Sequence, residues 1–170
     1  MPSWDPGRDA FWRTLIADRT PESFPAPPHY VNFHRIFEES LSMDAPWPPR
    51  PEKLENYKKL VDPNYRPGSK SLGAAYPTLA ALLAYSTQFV TACHGRSFST
   101  MKSGRIGLVP PRSCVGDLVC IIPSLQTPFL LRRHPTEQGV YLLVGECYVH
   151  GMMNGEMITR ACMPSRFTVA

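Results

Sequence analysis

Several signatures of common chemistry are missing from this chain. It has no G-x-G-x-x-G turn and no phosphate-cradling P-loop, so a nucleotide cofactor has no place to sit. Ser97, Ser99 and Ser103 stand in no G-x-S-x-G elbow, which removes the usual ground for a serine hydrolase. Its five cysteines, Cys93, Cys114, Cys120, Cys147 and Cys162, form no C-x-x-C pair. Cys147 and His150 have C-x-x-H spacing, but no second half-site follows, so neither a structural zinc nor any other metal is expected. An odd, irregularly spaced set of thiols fits reduced cysteines in a cytoplasmic protein. No apolar run approaches the ~20 residues that a membrane helix needs. The opening "MPSWDPGRDAFW" lacks the basic start and apolar stretch of a signal peptide. Basic residues are scattered. Arg132, Arg133 and His134 are the densest group, too small for the stripe of phosphate contacts that a nucleic acid requires.

Proline, in contrast, is abundant: 19 residues, most of them in the N-terminal half. Proline fixes its own backbone angle and pushes the preceding residue into extended conformations. Short helices separated by stiff connections are therefore expected over residues 1–94. Phe11, Trp12, Leu15 and Ile16 mark one face of a first helix that Pro21 should stop. Tyr30, Phe33, Phe37 and Leu41 recur at helical intervals before "APWPPRP" breaks the chain. A short amphipathic piece surrounds Leu54, Tyr57 and Val61, and "DPNYRPGSKSLG" has the composition of a loop. "YPTLAALLAYSTQFVTAC" predicts the longest helix, with Leu79, Leu82, Leu83, Ser86 and Val90 as its inward stripe. The aromatics Trp4, Trp12, Tyr30, Phe33, Trp47 and Tyr57 are numerous for such short helices and suit the packing of helices onto a sheet.

From Gly95 the pattern shortens to strands. "RSFSTMKSGRIGLVPP" predicts two around the turn Lys102-Ser103-Gly104. "GDLVCIIP" and "TPFLLRR" are apolar runs of strand length, and "GVYLLVGECYVHG" is a longer one. Asn154-Gly155 is a hairpin signal, after which "EMITRACMP" is expected to return as a strand. Hydrophobic content of 43% and a length of 170 residues suit one domain, with a helical part at 1–94 and a β-rich part at 95–170. The fold class expected is α+β: N-terminal short helices packed on a small antiparallel β-sheet or β-barrel.

The long strand carries the candidate chemistry. Alternation puts Tyr141, Leu143, Gly145, Cys147 and Val149 on an apolar face and Leu142, Val144, Glu146, Tyr148 and His150 on the other. Cys147 and His150 then oppose one another, which disfavours a thiol nucleophile with a local base. Glu146, Tyr148 and His150 share a face at ~6.6 Å steps and could line one cavity as acid–base groups. They could equally be a structural row, with the carboxylate and hydroxyl capped by neighbours. Asp117, after Gly116, suits a turn in which it accepts backbone amides. Arg132 could pair with Asp117 or Glu146, or orient a substrate.

The block "SGRIGLVPPRSCVGDLVCIIPSLQTPFLLRRHPTEQGVYLLVGECYVHGMMNGE" resembles the C-terminal region of fungal heterokaryon-incompatibility (HET) domain proteins. Gly104, Gly107, Leu108 and Pro110 match its first motif, Gly116, Asp117 and Val119 its second, and Pro128, Phe129, Leu131 and Arg132 its third. The most specific motif is matched by Tyr141, Leu143, Val144, Gly145, Glu146, Tyr148, Val149, His150, Gly151, Met153, Gly155 and Glu156. "FWRTLIADR" resembles a segment found upstream in those proteins. Arg105, Val109 and the turn Pro123-Ser124-Leu125-Gln126 depart from the pattern, and the HET domain itself is expected to be lacking. The resemblance implies a fold and a lineage rather than a mechanism.

Two functions follow as expectations. One is a HET-tail-like interaction or regulatory module of a fungal cytosolic protein, binding a protein partner. The other is a small cofactor-free enzyme of secondary metabolism, an isomerase or cyclase acting on a small-molecule ligand. There Glu146, Tyr148 and His150 would do the proton transfers, and Asp117 or Arg132 would hold the substrate. Both readings expect no nucleic acid and no membrane, and both leave the oligomeric state open.

Overall fold

The computed structural model describes residues 6–41, 75–122, 125–158 and 165–170. Two compact units emerge: Met1–Ala17 with Ala92–Ala170, and Asp18–Thr91. The expected piece around Leu54, Tyr57 and Val61, the loop after it and the side chains of Leu79 and Leu82 lie outside the described residues.

In the unit formed by Asp18–Thr91, helix α2 (Tyr30–Ser40) presents Tyr30, His34 and Phe37, spaced four and three apart, as one buried face. Facing them is helix α3 (Ala75–Cys93). Its Tyr85, fully buried, meets His34 and Phe37, and Phe89 lies 5.0 Å from Phe37 between ring centroids. This corrects the aliphatic stripe expected for α3. Leu83 and Val90 are more than half exposed, because the aromatic pair Tyr85/Phe89, one turn apart, takes the inward face. Leu41, too, is exposed, since α2 has already ended at Ser40.

The other unit begins with helix α1 (Pro6–Leu15). Asp9 in its first turn accepts from Trp12 Nε1 at 3.0 Å and Arg13 Nε at 2.8 Å, fixing both side chains one turn further on. Trp12 and Ile16 are fully buried, whereas Phe11 is not. The helix stops well before Pro21. Ala17 and Asp18 adopt φ of 49° and 53°, left-handed values that end a right-handed helix.

Among the described residues seven strands follow: β1 (Ser97–Thr100), β2 (Ile106–Val109), β3 (Leu118–Cys120), β4 (Phe129–Arg133), β5 (Val140–Glu146), β6 (Tyr148–Val149) and β7 (Thr168–Val169). They make a three-stranded sheet, β1-β2-β6, and a four-stranded sheet, β3-β4-β5-β7. Every pairing is antiparallel except β5 with β7. The fold is thus α+β as expected. Among the described residues, however, the strands form two sheets and not a closed barrel. The expected long strand is real but changes sheets. Glu146 pairs with Phe129 in the four-stranded sheet, and Tyr148 pairs with Leu108 in the three-stranded one. Asn154-Gly155 lies in a run of turns; most of the strand expected in "EMITRACMP" (159–164) lies outside the described residues, and the next described strand is at Thr168.

The core forms where the two sheets meet. Val109, Leu130, Cys147 and Val149 are buried together, with Met101, Val119, Val144 and Met152 packed around them. The opposite face of the three-stranded sheet carries the cross-strand row Phe98, Leu108, Tyr148, and α1 packs on β2. Gly107 lets this sheet close: a Cβ there would stand 2.3 Å from the Tyr148 carbonyl oxygen. A register shift between Leu130 and Leu131 leaves Val144 without a partner on β4, next to Gly145 at φ 149°. This bulge turns Leu143 outward to 53% exposure and Val144 inward, so the expected alternation fails upstream of Gly145 and holds after it.

Candidate functional site

Tyr148 and His150 sit at the end of the sheet-switching strand. Tyr148 is buried by its place in the row beneath α1, and its hydroxyl lies 3.0 Å from His150 Nδ1. Either atom donates, according to the imidazole tautomer. The His150 amide continues the ladder by donating to the Ile106 carbonyl at 3.0 Å. A buried phenol needs a partner for its hydroxyl, and the imidazole two residues on supplies one.

Glu146 is held elsewhere. Arg96 Nη2 donates to Glu146 Oε1 at 2.5 Å, and the Glu146 side chain is 56% exposed. The three residues predicted on one face therefore divide. Tyr148 and His150 bond each other, while Glu146 pairs with an arginine 50 positions earlier. The division follows from the change of sheet at Cys147, whose amide still bonds Pro128 in the four-stranded sheet's direction at 2.9 Å.

Asp117 and Arg132 come together. Arg132 Nε and Nη2 donate to Asp117 Oδ1 and Oδ2, both at 2.8 Å, and Nη2 also donates to the Arg112 carbonyl at 2.8 Å. The Cys114 amide donates to Asp117 Oδ2 at 2.8 Å. This clasp fastens the loop between β2 and β3 onto β4. The bond from Arg132 holds the Asp117 carboxyl below its ordinary range, outweighing the opposite effect of burial, and the Cys114 amide adds to it. The same pairing raises Arg132.

Cys147 is almost wholly buried, and burial pushes its thiol up to about 12, so it stays protonated at neutral pH. Its Sγ contacts the Pro128 carbonyl at 3.5 Å. Sequence reasoning missed two participants. Arg96 carried no local signal toward Glu146. Glu156 takes up the Asn154 amide at 2.7 Å and lies in the electrostatic reach of His150. Burial would raise the Glu156 carboxyl, but its own amide and those of Asn154 win and lower it.

What the arrangement can do is limited by these pairings. A phenol–imidazole pair can move a proton between its own members or to a bound group. The carboxylates are committed to arginines and amides. Among the described residues no group of three or more His, Cys, Asp or Glu is placed to hold a metal ion. Among the same residues no helix is long and apolar enough to cross a membrane.

Comparison with known proteins returned no matching curated protein and no matching solved structure. A family model described as the Het-6 beta-barrel domain matches residues 8–169, from the first turn of α1 to the end of β7. The match spans both the helical stretch and the strands that carry the motifs, and the chain belongs to the Het-6 beta-barrel domain family.

Proposed function

We propose that this chain is an interaction or regulatory module of a fungal cytosolic protein, corresponding to the region that follows the HET domain in its relatives. One observation carries the reading: each polar residue that looked most chemical is already bonded to another side chain. Asp117 and Arg132 occupy each other in a two-point bond, Glu146 holds Arg96, and the Tyr148 hydroxyl is met by His150. Groups satisfied in this way support a rigid surface more readily than they bind a substrate.

A second reading is favoured by the Tyr148–His150 contact alone. At 3.0 Å it is within proton-transfer distance, and a small enolisable or cyclising ligand reaching the imidazole would complete an acid–base pair. In that reading Asp117 and Arg132 shape the wall and do not touch the ligand.

Native mass spectrometry on tagged protein purified gently from its own host separates the two. The module reading expects a second protein at fixed stoichiometry and no retained small molecule. A small-molecule mass held by the chain on its own would move the account to the enzyme.

A further inference from the structure

Among the described residues, strand β1 is the outer strand of the three-stranded sheet. Met101 N donates to the Arg105 carbonyl at 2.7 Å, which sets the phase of the ladder between β1 and β2. In an antiparallel pair the bonded residues alternate, so Ser97 and Ser99 direct their backbone groups to β2. Phe98 and Thr100 direct theirs away. Among the described residues β1 pairs with β2 alone, and Phe98 and Thr100 are both exposed.

An open edge of this kind is normally guarded by a charged side chain, a proline or a bulge. "SFST" has none of these, and its register with β2 is continuous over all four residues. It also carries an aromatic anchor. Phe98 is 44% exposed and lies 5.6 Å from Phe11, itself 38% exposed, between ring centroids. The stretch itself is basic. From His94 to Gly116 the chain contains Lys102, Arg105 and Arg112, together with Arg96, which is paired with Glu146, and no carboxylate. Lys102 is exposed at one end of β1, and Arg96 stands at the other.

We propose that β1 is a docking edge at which an extended, acidic segment of a partner protein adds as a further strand, with an apolar side chain resting on Phe98 and Phe11. The main-chain groups of Phe98 and Thr100 would supply the hydrogen bonds. Lys102 and Arg105 select for carboxylates in the incoming segment. The inference rests on the module reading and names the partner's chemistry.

The test uses the whole purified chain and a short fluorescein-labelled peptide alternating valine and glutamate. Its controls are the same peptide with lysine for glutamate and a single-stranded oligonucleotide. Thr100→Pro is the decisive variant, because it removes an outward amide without touching a bond to β2. The acidic peptide is expected to raise polarisation and to shift the amide resonances of Phe98 and Thr100. The lysine peptide should bind about tenfold more weakly. Thr100→Pro should abolish binding with its circular dichroism spectrum unchanged, and Lys102→Glu should weaken it severalfold. Equal binding of both peptides, binding that survives Thr100→Pro, tighter binding of the oligonucleotide, or no binding of the acidic peptide would each overturn the docking edge. The module reading fails separately: a host protein retained by the Thr100→Pro chain would keep the module and discard this edge.

Discussion

The two sheets of the β-rich unit are held by different forces. The three-stranded sheet depends on close approach: Gly107 brings β2 under the Tyr148 carbonyl, and the row Phe98, Leu108, Tyr148 packs without a charge. The four-stranded sheet is fastened by ions. Asp117–Arg132 ties the loop before β3 to β4, and Glu146 at the end of β5 takes Arg96, the residue before β1, which joins this sheet to the other. Charges are kept where water or backbone amides share the load, while the Tyr148 ring goes inward with its hydroxyl bonded to His150. Residues that look alike on paper, a polar row on one strand, thus serve different sheets in different ways.

The largest effect should come from breaking the close approach. Gly107→Ala places a methyl group against the Tyr148 carbonyl oxygen, and the loss of stability, read as the shift of a urea midpoint, should be about 3 kcal/mol. Next comes the ionic side of the contrast. Asp117→Asn should cost about 1 to 2 kcal/mol at neutral pH, because the bonds lost are charge-assisted. Its pH dependence has a definite sign. Asp117 is held below its ordinary 3.8 in the folded protein, so its contribution is present above that value and is lost as pH falls through the lower, folded one. The native chain should lose stability across that acid window, and Asp117→Asn should show a shallower loss, measured by thermal melts at stepped pH.

Tyr148→Phe keeps the packed ring and removes only the hydroxyl. It should cost about 1 kcal/mol, the usual value of one hydrogen bond. Arg96→Ala should do least, no more than about 0.5 kcal/mol, because the Glu146 side chain it pairs with is more exposed than buried. An Arg96→Ala loss larger than that of Asp117→Asn would reverse the ranking of the two ion pairs.

The sequence reading reached the α+β class, the position of each early strand and the inward placing of Cys147 and Val149. Those rest on local alternation and turn residues, which act within a few positions. It failed where a distant partner decides. The Val144 bulge answers to the register with β4, and the change of sheet at Cys147 answers to β2, neither of which a single strand encodes. For Arg132 the sequence leaves Asp117 and Glu146 open as partners, and the structure selects Asp117. Arg96 was not anticipated, since nothing near it hints at Glu146. In α3 the aliphatic residues were the more numerous, yet Tyr85 and Phe89 won the inward face by stacking on His34 and Phe37.

In the proposed module, Tyr148 and His150 serve the fold. The most direct test is native mass spectrometry of host-purified protein beside a His150→Ala copy. The same partner protein on both chains and no small molecule on either is the expected result. A small-molecule mass present on the native chain and absent from the His150→Ala copy would contradict it and make His150 part of a ligand site.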